Sequence, residues 1–166
     1  MAESSSLKKK VVMVGVDTSN ESFYSLEWTM ENLLAPTGSG KDSPYKLILV
    51  HVKIPPLSVL RFSGPGISDS LNLVEADLKK TATNITNKAK ELCEEKSISD
   101  YEVEILEGDA RTTLCEAVEK HHVDILVMGA HAYGTLKRTF LGSVSDYCAH
   151  HAHCSVLIVK KPKSKH

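Results

Sequence analysis

Short apolar runs recur along the chain, and most of them are continuous rather than alternating with polar residues. Five runs rich in valine and isoleucine stand out, at residues 11–16, 47–52, 103–106, 123–128 and 156–159. A continuous run of this length is typical of a strand that is buried on both faces, as in a parallel sheet. The pattern therefore predicts five buried strands.

Segments with helical spacing separate these runs. Their apolar residues recur every three or four positions, which places them on one face of a helix. Four such stripes begin at Phe23, Leu78, Leu114 and Val144. Ser19 and Asp109 precede two of the stripes and are common N-cap residues. Strands that alternate with helices predict an α/β fold, here a doubly wound, Rossmann-like sheet of five parallel strands with four helices.

Two segments, residues 35–45 and 53–70, interrupt this alternation. The first contains Gly40 and Lys41, but Ala35 and Asp42 stand where a phosphate-binding P-loop requires glycine and serine or threonine. That motif is therefore excluded. The second segment is rich in proline and glycine and long for a connection without structure of its own, so we expect a lid over a site or a mobile insert.

The chain length and charge narrow the class of protein. A chain of 166 residues suits one domain, and we expect flexible tails at residues 1–9 and 161–166. The net charge of -1 favours neither nucleic acid nor a membrane surface as a partner. No run approaches the length of a membrane span, and the apolar run after the first lysines is too short for a signal peptide. The four cysteines form no CxxC pair, which predicts free thiols in a reducing compartment.

The loop after the fourth predicted strand carries the candidate chemistry. Residues 129–145 read GAHAYGTLKRTFLGSVS. In open α/β sheets, ligands collect beyond the carboxyl ends of strands where the winding reverses. Gly142 and Ser143 begin the last predicted helix, where free backbone N–H groups and the helix dipole attract an anion. Ser145 adds a hydroxyl, and Asp17 at the end of the first strand suits ribose hydroxyls or a metal carried by phosphates.

A purely structural role explains the same residues. Ser143 and Asp146 have the spacing of a capping box, in which the two side chains satisfy the first backbone N–H groups of a helix. The glycines can likewise serve only as turn residues. The residues alone leave both interpretations open.

The glycine spacing resembles the nucleotide-binding signature of the universal stress protein family, G-x2-G-x9-G-[ST]. In this chain the pattern falls on Gly129, Ala132, Gly142 and Ser143. The segments VMVGVDTSNESFYSLEWTMENLL, LILVHV, EGDART and SVSDYCAHHAHCSVLIVKKPK are also similar to UspA-like plant members of that family. The resemblance covers nearly the whole chain, as a single domain over residues 1–166, and implies that the protein binds nucleotide.

In the family, adenosine lies between the loop after the first strand and the end of the second, with its phosphates in the glycine loop. The resemblance implies ATP or AMP as the ligand and Mg²⁺ held indirectly by Asp17 together with the nucleotide. The implied nucleotide-binding residues are Val16, Asp17, Val52, Met128, Gly129, His131, Ala132, Gly142, Ser143, Val144 and Ser145. Ala132 replaces a family glycine, and its methyl group weakens binding if the position needs a positive φ.

Paired carboxylates, a nucleophile elbow and a supported Ser-His-Asp set are all missing from the sequence. We therefore expect a nucleotide-binding regulatory protein of the stress response, in the cytoplasm and with the nucleus as an additional option, with weak ATP hydrolysis at most. One alternative is an adenine-nucleotide hydrolase or adenylyl-transfer enzyme with Asp17 and Ser143 in its site. Another is a ligand-free, chaperone-like interaction module.

Two further features concern assembly and metal binding. The last strand, residues 155–160, is expected at a sheet edge, where an apolar strand invites pairing with another chain. The family resemblance implies a homodimer through this strand. The nearby CAHHAHC segment places His150 and Cys154 four residues apart, a spacing compatible with zinc. Histidines at the carboxyl end of a helix also favour the helix dipole without any metal.

Overall fold

A parallel five-stranded sheet forms the centre of the computed structural model, which describes residues 8–35, 43–61, 71–130 and 142–162. The strands are β1 (Lys10–Gly15), β2 (Tyr45–Lys53), β3 (Tyr101–Glu107), β4 (Ile125–Gly129) and β5 (Ser155–Val159). Every neighbouring pair runs parallel, in the order β3-β2-β1-β4-β5. This arrangement confirms the doubly wound α/β fold predicted from the apolar runs.

Helices connect the strands. They are α1 (Asn20–Thr29), α2 (Pro56–Arg61), α3 (Leu71–Glu95), α4 (Ala110–Lys120) and α5 (Ser143–His151), and α1 continues into one π-helical turn at Met30–Leu34. The sequence predicted four helices, and α2 is an addition within the segment expected to be a lid or insert. A six-residue helix is too short to be recognised from its periodicity, which explains the difference.

Both predicted N-caps are confirmed. The side chain of Ser19 accepts a hydrogen bond from the backbone N–H of Ser22, and α1 begins at the next residue after the cap. The side chain of Asp109 accepts hydrogen bonds from the backbone N–H groups of Arg111 and Thr112. Each cap satisfies N–H groups that the first helical turn leaves without intrahelical partners.

The hydrophobic core is divided by the sheet into two layers. Apolar residues of α1 and α3 cover one face, and those of α4 and α5 cover the other. Successive strand residues point to opposite faces, so Val12 and Val14 belong to the first layer while Met13 belongs to the second. All three side chains are fully buried. Burial on both faces is the reason that the strands read as continuous apolar runs.

The winding of the sheet reverses at β1. This strand pairs with β2 on one side and with β4 on the other, with Val12 opposite Leu47 and Ile125 respectively. The carboxyl ends of β1 and β4 are therefore neighbours, although three crossover connections separate the two strands along the chain. Such a point opens a crevice in a doubly wound sheet, and ligands bind there in this class of fold.

Strands β3 and β5 are the two edges of the sheet within the described ranges. The prediction that the last strand lies at an edge is thereby confirmed. Val159 is buried, but the other residues of β5 are partly or fully exposed. Pairing of β5 with a second chain stays a prediction.

Candidate functional site

A cavity of about 140 Å³ opens at the carboxyl ends of the central strands. A cavity of roughly 150 Å³ is large enough to hold benzene, so this one encloses a ring-sized group and leaves a larger ligand to extend through its mouth. Its walls come from the ends of β1, β2 and β4 and from the first turns of α1, α4 and α5. The lining residues are Gly15, Val16, Asp17, Ser22, Val50, Val52, Ala110, Leu114, Met128, Gly129, Gly142, Ser143, Val144 and Ser145.

Nine of the eleven residues predicted for the nucleotide site line this cavity. They come from four separate stretches of the chain: Val16 and Asp17, Val52, Met128 and Gly129, and residues 142–145. The other two, His131 and Ala132, lie outside the described residues, as do Gly40 and Lys41. The fold therefore brings the predicted residues together, and their contact with nucleotide stays a prediction.

The sequence interpretation missed five residues of the lining: Gly15, Ser22, Val50, Ala110 and Leu114. Three of them follow from spacing once the layers are known. Val50 lies two residues before Val52 and shares its face of β2, while Ala110 and Leu114 are four apart on one face of α4. The sequence does not indicate which helix covers that face of the sheet, and these residues were missed for that reason.

The inner wall of the cavity is apolar. Val50, Leu114 and Met128 approach from β2, α4 and β4, and each is at least nine-tenths buried. Pockets for small organic ligands typically combine such walls with a few polar groups that fix the orientation of the ligand. The apolar wall suits a flat ring, and the partly exposed Asp17 and the exposed Ser143 supply polar groups to the same lining.

The turn between β1 and α1 holds Asp17 in place. One oxygen of its carboxylate accepts hydrogen bonds from the backbone N–H of Ser19, at 2.7 Å, and from the Ser19 hydroxyl. The backbone N–H of Asp17 donates to the Ser22 hydroxyl oxygen at 3.0 Å. Ser22 is buried and also donates to the backbone, so it supports the turn that orients Asp17.

His51 supports the same turn from β2. Its Nδ1 lies 2.9 Å from the carbonyl oxygen of Val16. A carbonyl can only accept, so Nδ1 carries the proton and donates. The backbone N–H of Val16 donates to the carbonyl of Val50 at 2.9 Å, which ties both polar groups of Val16 to β2. The sequence interpretation missed His51. It could have been noticed because it is a polar residue within a run of buried apolar residues.

The amino terminus of α5 opens onto the cavity without a side-chain cap. Gly142 is the N-cap residue, with φ -59° and ψ 158°, and Ser143 is already the first residue of the helix. The capping box proposed for Ser143 and Asp146 is therefore wrong, because the helix begins one residue too early for it. Instead, the Ser145 hydroxyl donates to the Gly142 carbonyl at 3.0 Å.

Gly129 has a packing role in addition to its place in the cavity. A Cβ atom at this position would lie 2.5 Å from the carbonyl oxygen of Glu21 and 2.9 Å from the backbone nitrogen of Ser22. Only glycine lets the end of β4 approach the first turn of α1 so closely. This signature glycine is therefore required by the fold, whether or not a ligand is present.

The histidines near the end of α5 bind backbone and carboxylate groups. The Nδ1 atoms of His150 and His151 lie 2.8 and 2.9 Å from the carbonyls of Asp146 and Tyr147, one helical turn earlier. His153 pairs with Glu119. In the part of the chain that the structure describes, no three His, Cys, Asp or Glu side chains come together in a metal-binding arrangement.

Comparison with known proteins identifies close similarity to one family. A model described as the universal stress protein family matches residues 9–160. A universal stress protein A-like protein of Arabidopsis thaliana is 29% identical to this chain, over 90% of it and 89% of the relative. Universal stress protein MJ0531 of Methanocaldococcus jannaschii is 35% identical, over 66% of this chain and 64% of the relative.

Solved structures are similar in fold. The hypothetical protein MJ0577 superposes with a TM-score of 0.72 at 22% identity, covering 93% of this chain and 98% of that one. A universal stress protein family protein of Arabidopsis thaliana, solved with AMP bound, has a TM-score of 0.64 at 23% identity and covers 92% of both chains. None of the described helices of this chain is long and apolar enough to cross a membrane.

Proposed function

This chain belongs to the universal stress protein family, and from that premise we propose that it binds an adenine nucleotide, ATP or AMP, as a regulatory protein of the stress response. One observation carries the proposal. The amino terminus of α5, which has no side-chain cap, and the carboxylate of Asp17 line the mouth of one apolar cavity at the switch point of the sheet. An anion at one end and a ring at the other match a nucleotide.

The proposed orientation of the ligand follows from the chemistry of the walls. The adenine ring packs against Val50, Val52 and Leu114, which offer apolar surface. The ribose hydroxyls donate to the carboxylate of Asp17, whose orientation is held by the turn before α1. The phosphate accepts hydrogen bonds from the backbone N–H groups at the start of α5 and from the Ser143 hydroxyl. The Ser145 hydroxyl already donates to Gly142, so we assign it a structural role.

Support for a similar ligand comes from the solved relatives. The Arabidopsis thaliana structure was solved with AMP bound, and another universal stress protein was solved in complex with cAMP. AMP and cAMP are the ligands of those two proteins, and an adenine nucleotide is our proposal for this chain. A co-purification experiment tests it. Acid extraction of the purified protein should release an adenine nucleotide, whereas a chain that neither releases nor binds nucleotide would instead fit the interaction module.

We propose a binding role rather than an enzymatic one. Asp17 is the single carboxylate among the residues that the structure describes around the cavity. Hydrolysis requires a group that positions water, together with charge stabilisation at the phosphates. Asp17 fits a Mg²⁺ ion only when the nucleotide phosphates supply further oxygen ligands.

The hydrolase alternative depends on the same carboxylate and has its own test. Purified protein incubated with ATP and Mg²⁺ should release γ-phosphate no faster than an Asp17→Asn variant. Release that requires Asp17 would favour the enzyme. Titration of AMP in the presence and absence of a chelator separates a metal that assists binding from a ligand that binds alone.

A further inference from the structure

Three of the four cysteines come together on one side of the sheet. Cys115 lies on α4, Cys148 lies on α5, and Cys154 precedes β5, yet all three belong to the same core layer. The Cys115 side chain lies close enough to the Cys148 thiol to raise its pKa, and Cys154 lies within electrostatic reach of both. The sequence offered no CxxC spacing, so only the fold reveals this cluster.

The members of the cluster differ in exposure. Cys148 is fully buried, while Cys115 and Cys154 are partly exposed. Burial, reinforced by the neighbouring Cys115, raises the pKa of Cys148 to about 12. Its sulfur is therefore shielded from solvent and protonated until a sulfenic acid forms beside it. A small oxidant reaches the partly exposed Cys115 before the buried Cys148, because thiol oxidation follows access and thiolate character.

We propose that Cys115 and Cys148 form an oxidation site, which hydrogen peroxide converts to a disulfide that ties α4 to α5. The Cys115 thiolate attacks one peroxide oxygen, so an S–O bond forms, the O–O bond breaks and hydroxide leaves. The Cys148 sulfur, as it loses its proton, attacks the resulting sulfenic sulfur. An S–S bond forms, the S–O bond breaks, and the departing hydroxide is protonated. Overall, two thiols lose two electrons and peroxide becomes two water molecules.

Both helices that the disulfide joins are walls of the cavity. Leu114, the neighbour of Cys115, lines it from α4. Ser145, one helical turn before Cys148, lines it from α5. A disulfide holds its two Cα atoms at about 4.4–6.8 Å, which prevents the helices from moving apart around a ligand. We therefore expect oxidation to weaken nucleotide binding, a consequence that rests on the proposed function.

Peptide mapping tests the oxidation site directly. The reduced, full chain is treated with hydrogen peroxide under native conditions, denatured, alkylated and digested for mass spectrometry. We expect a Cys115–Cys148 cross-linked peptide that dithiothreitol reverses, with Cys93 and Cys154 alkylated. Four alkylated cysteines, a cross-link between other cysteines, or Cys115 oxidised to sulfinic acid without a cross-link would each overturn the proposal.

Matched variants separate this site from general thiol oxidation. Cys115→Ser changes a partly exposed residue and should abolish the cross-link. Cys93→Ser changes a buried cysteine of α3 in the other core layer and should leave the cross-link intact. Thermal unfolding of both variants establishes that they are folded. Persistence of the cross-linking in Cys115→Ser, through Cys154, would contradict the assigned pair.

Calorimetry with AMP tests the consequence for binding. The oxidised protein should bind AMP more weakly than the reduced protein, by roughly fivefold or more. If a fully cross-linked sample binds AMP as tightly as the reduced protein, the proposed effect of oxidation on binding is overturned. The oxidation site itself is not affected by that result. A reduced protein that binds no AMP would overturn the proposed function instead, while peptide mapping still decides the thiol pair.

Discussion

Gly129 lies against the first turn of α1 so closely that a Cβ atom there would be 2.5 Å from the carbonyl oxygen of Glu21. Ser22, the next residue, accepts a hydrogen bond from the backbone of Asp17. One turn of α1 therefore positions both the end of β4 and the carboxylate at the mouth of the cavity. A substitution at Gly129 should therefore change both the free energy of unfolding and the geometry of the site.

Gly129→Ala should destabilise the protein by about 1–3 kcal/mol, because the added methyl group meets backbone atoms that cannot rotate away. Urea denaturation measures the free energy of unfolding. Gly15→Ala is the matched control, since nothing lies within 4 Å of a Cβ atom at that position. Its free energy of unfolding should stay within about 0.5 kcal/mol of the parent. Equal losses in the free energy of unfolding for the two variants would contradict the packing role of Gly129.

Gly142→Val should abolish nucleotide binding without unfolding the protein. The backbone of Gly142 has φ -59°, a value that valine adopts, so the expected loss comes from a branched side chain at the phosphate position. Titration calorimetry with ATP or AMP measures it. Gly142→Ala, with a single methyl group, should retain weakened binding. Unchanged affinity in the valine variant would mean that the phosphate lies elsewhere.

His51→Leu should cost about 1–3 kcal/mol in the free energy of unfolding, because it leaves the Val16 carbonyl without its side-chain donor. The loss should also lower nucleotide affinity, since Val16 precedes Asp17. His51→Gln keeps a side-chain amide donor and should recover part of both losses. A leucine variant that loses stability but keeps full affinity would show that His51 supports only the fold.

Glu104 should make stability fall at acid pH. Burial alone would raise its pKa, but hydrogen bonds from Lys120 and His121 outweigh burial and hold the pKa below the usual 4.5. Because the folded pKa is the lower one, its stabilisation is present above the unfolded pKa and is lost as pH falls through the folded pKa. Glu104→Gln should cost up to about 1 kcal/mol at pH 7 and less at low pH.

Urea denaturation of the parent and of Glu104→Gln across a pH series measures this difference. The gap between the two free energies of unfolding should be steady above about pH 5 and shrink as the carboxylate is protonated. A gap that stays constant down to pH 3 would contradict the role assigned to the charged form of Glu104.

We expect a homodimer that pairs through β5, and Ile158→Lys should shift it towards monomer. β5 is an edge strand, and a lysine on it discourages pairing with another chain. Ser155→Lys adds the same charge at the exposed start of the strand and should have a smaller effect. Light scattering decides between the states. If the parent already has the 18.2 kDa mass of one chain, the proposed homodimer is wrong.

The strands and the site were predictable for different reasons. A parallel sheet buries both faces of Val12, Met13 and their neighbours, so its strands are visible as apolar runs. Most of the cavity lining was predictable because the family resemblance implied residues that end those strands or lie in the glycine loop. Ser22 and Leu114 were not, because their place in the cavity depends on how α1 and α4 pack. The start of α5 at Gly142 and Ser143 was predicted, but the capping-box alternative was wrong because the backbone makes Gly142, and not Ser143, the N-cap residue.

A crystal structure of the protein grown with AMP tests the central proposal most directly. The proposal predicts density for the adenine ring against Val50, Val52 and Leu114, with the phosphate at the backbone N–H groups of Gly142 and Ser143. Absence of the ligand at saturating AMP, or a phosphate bound away from the start of α5, would contradict it.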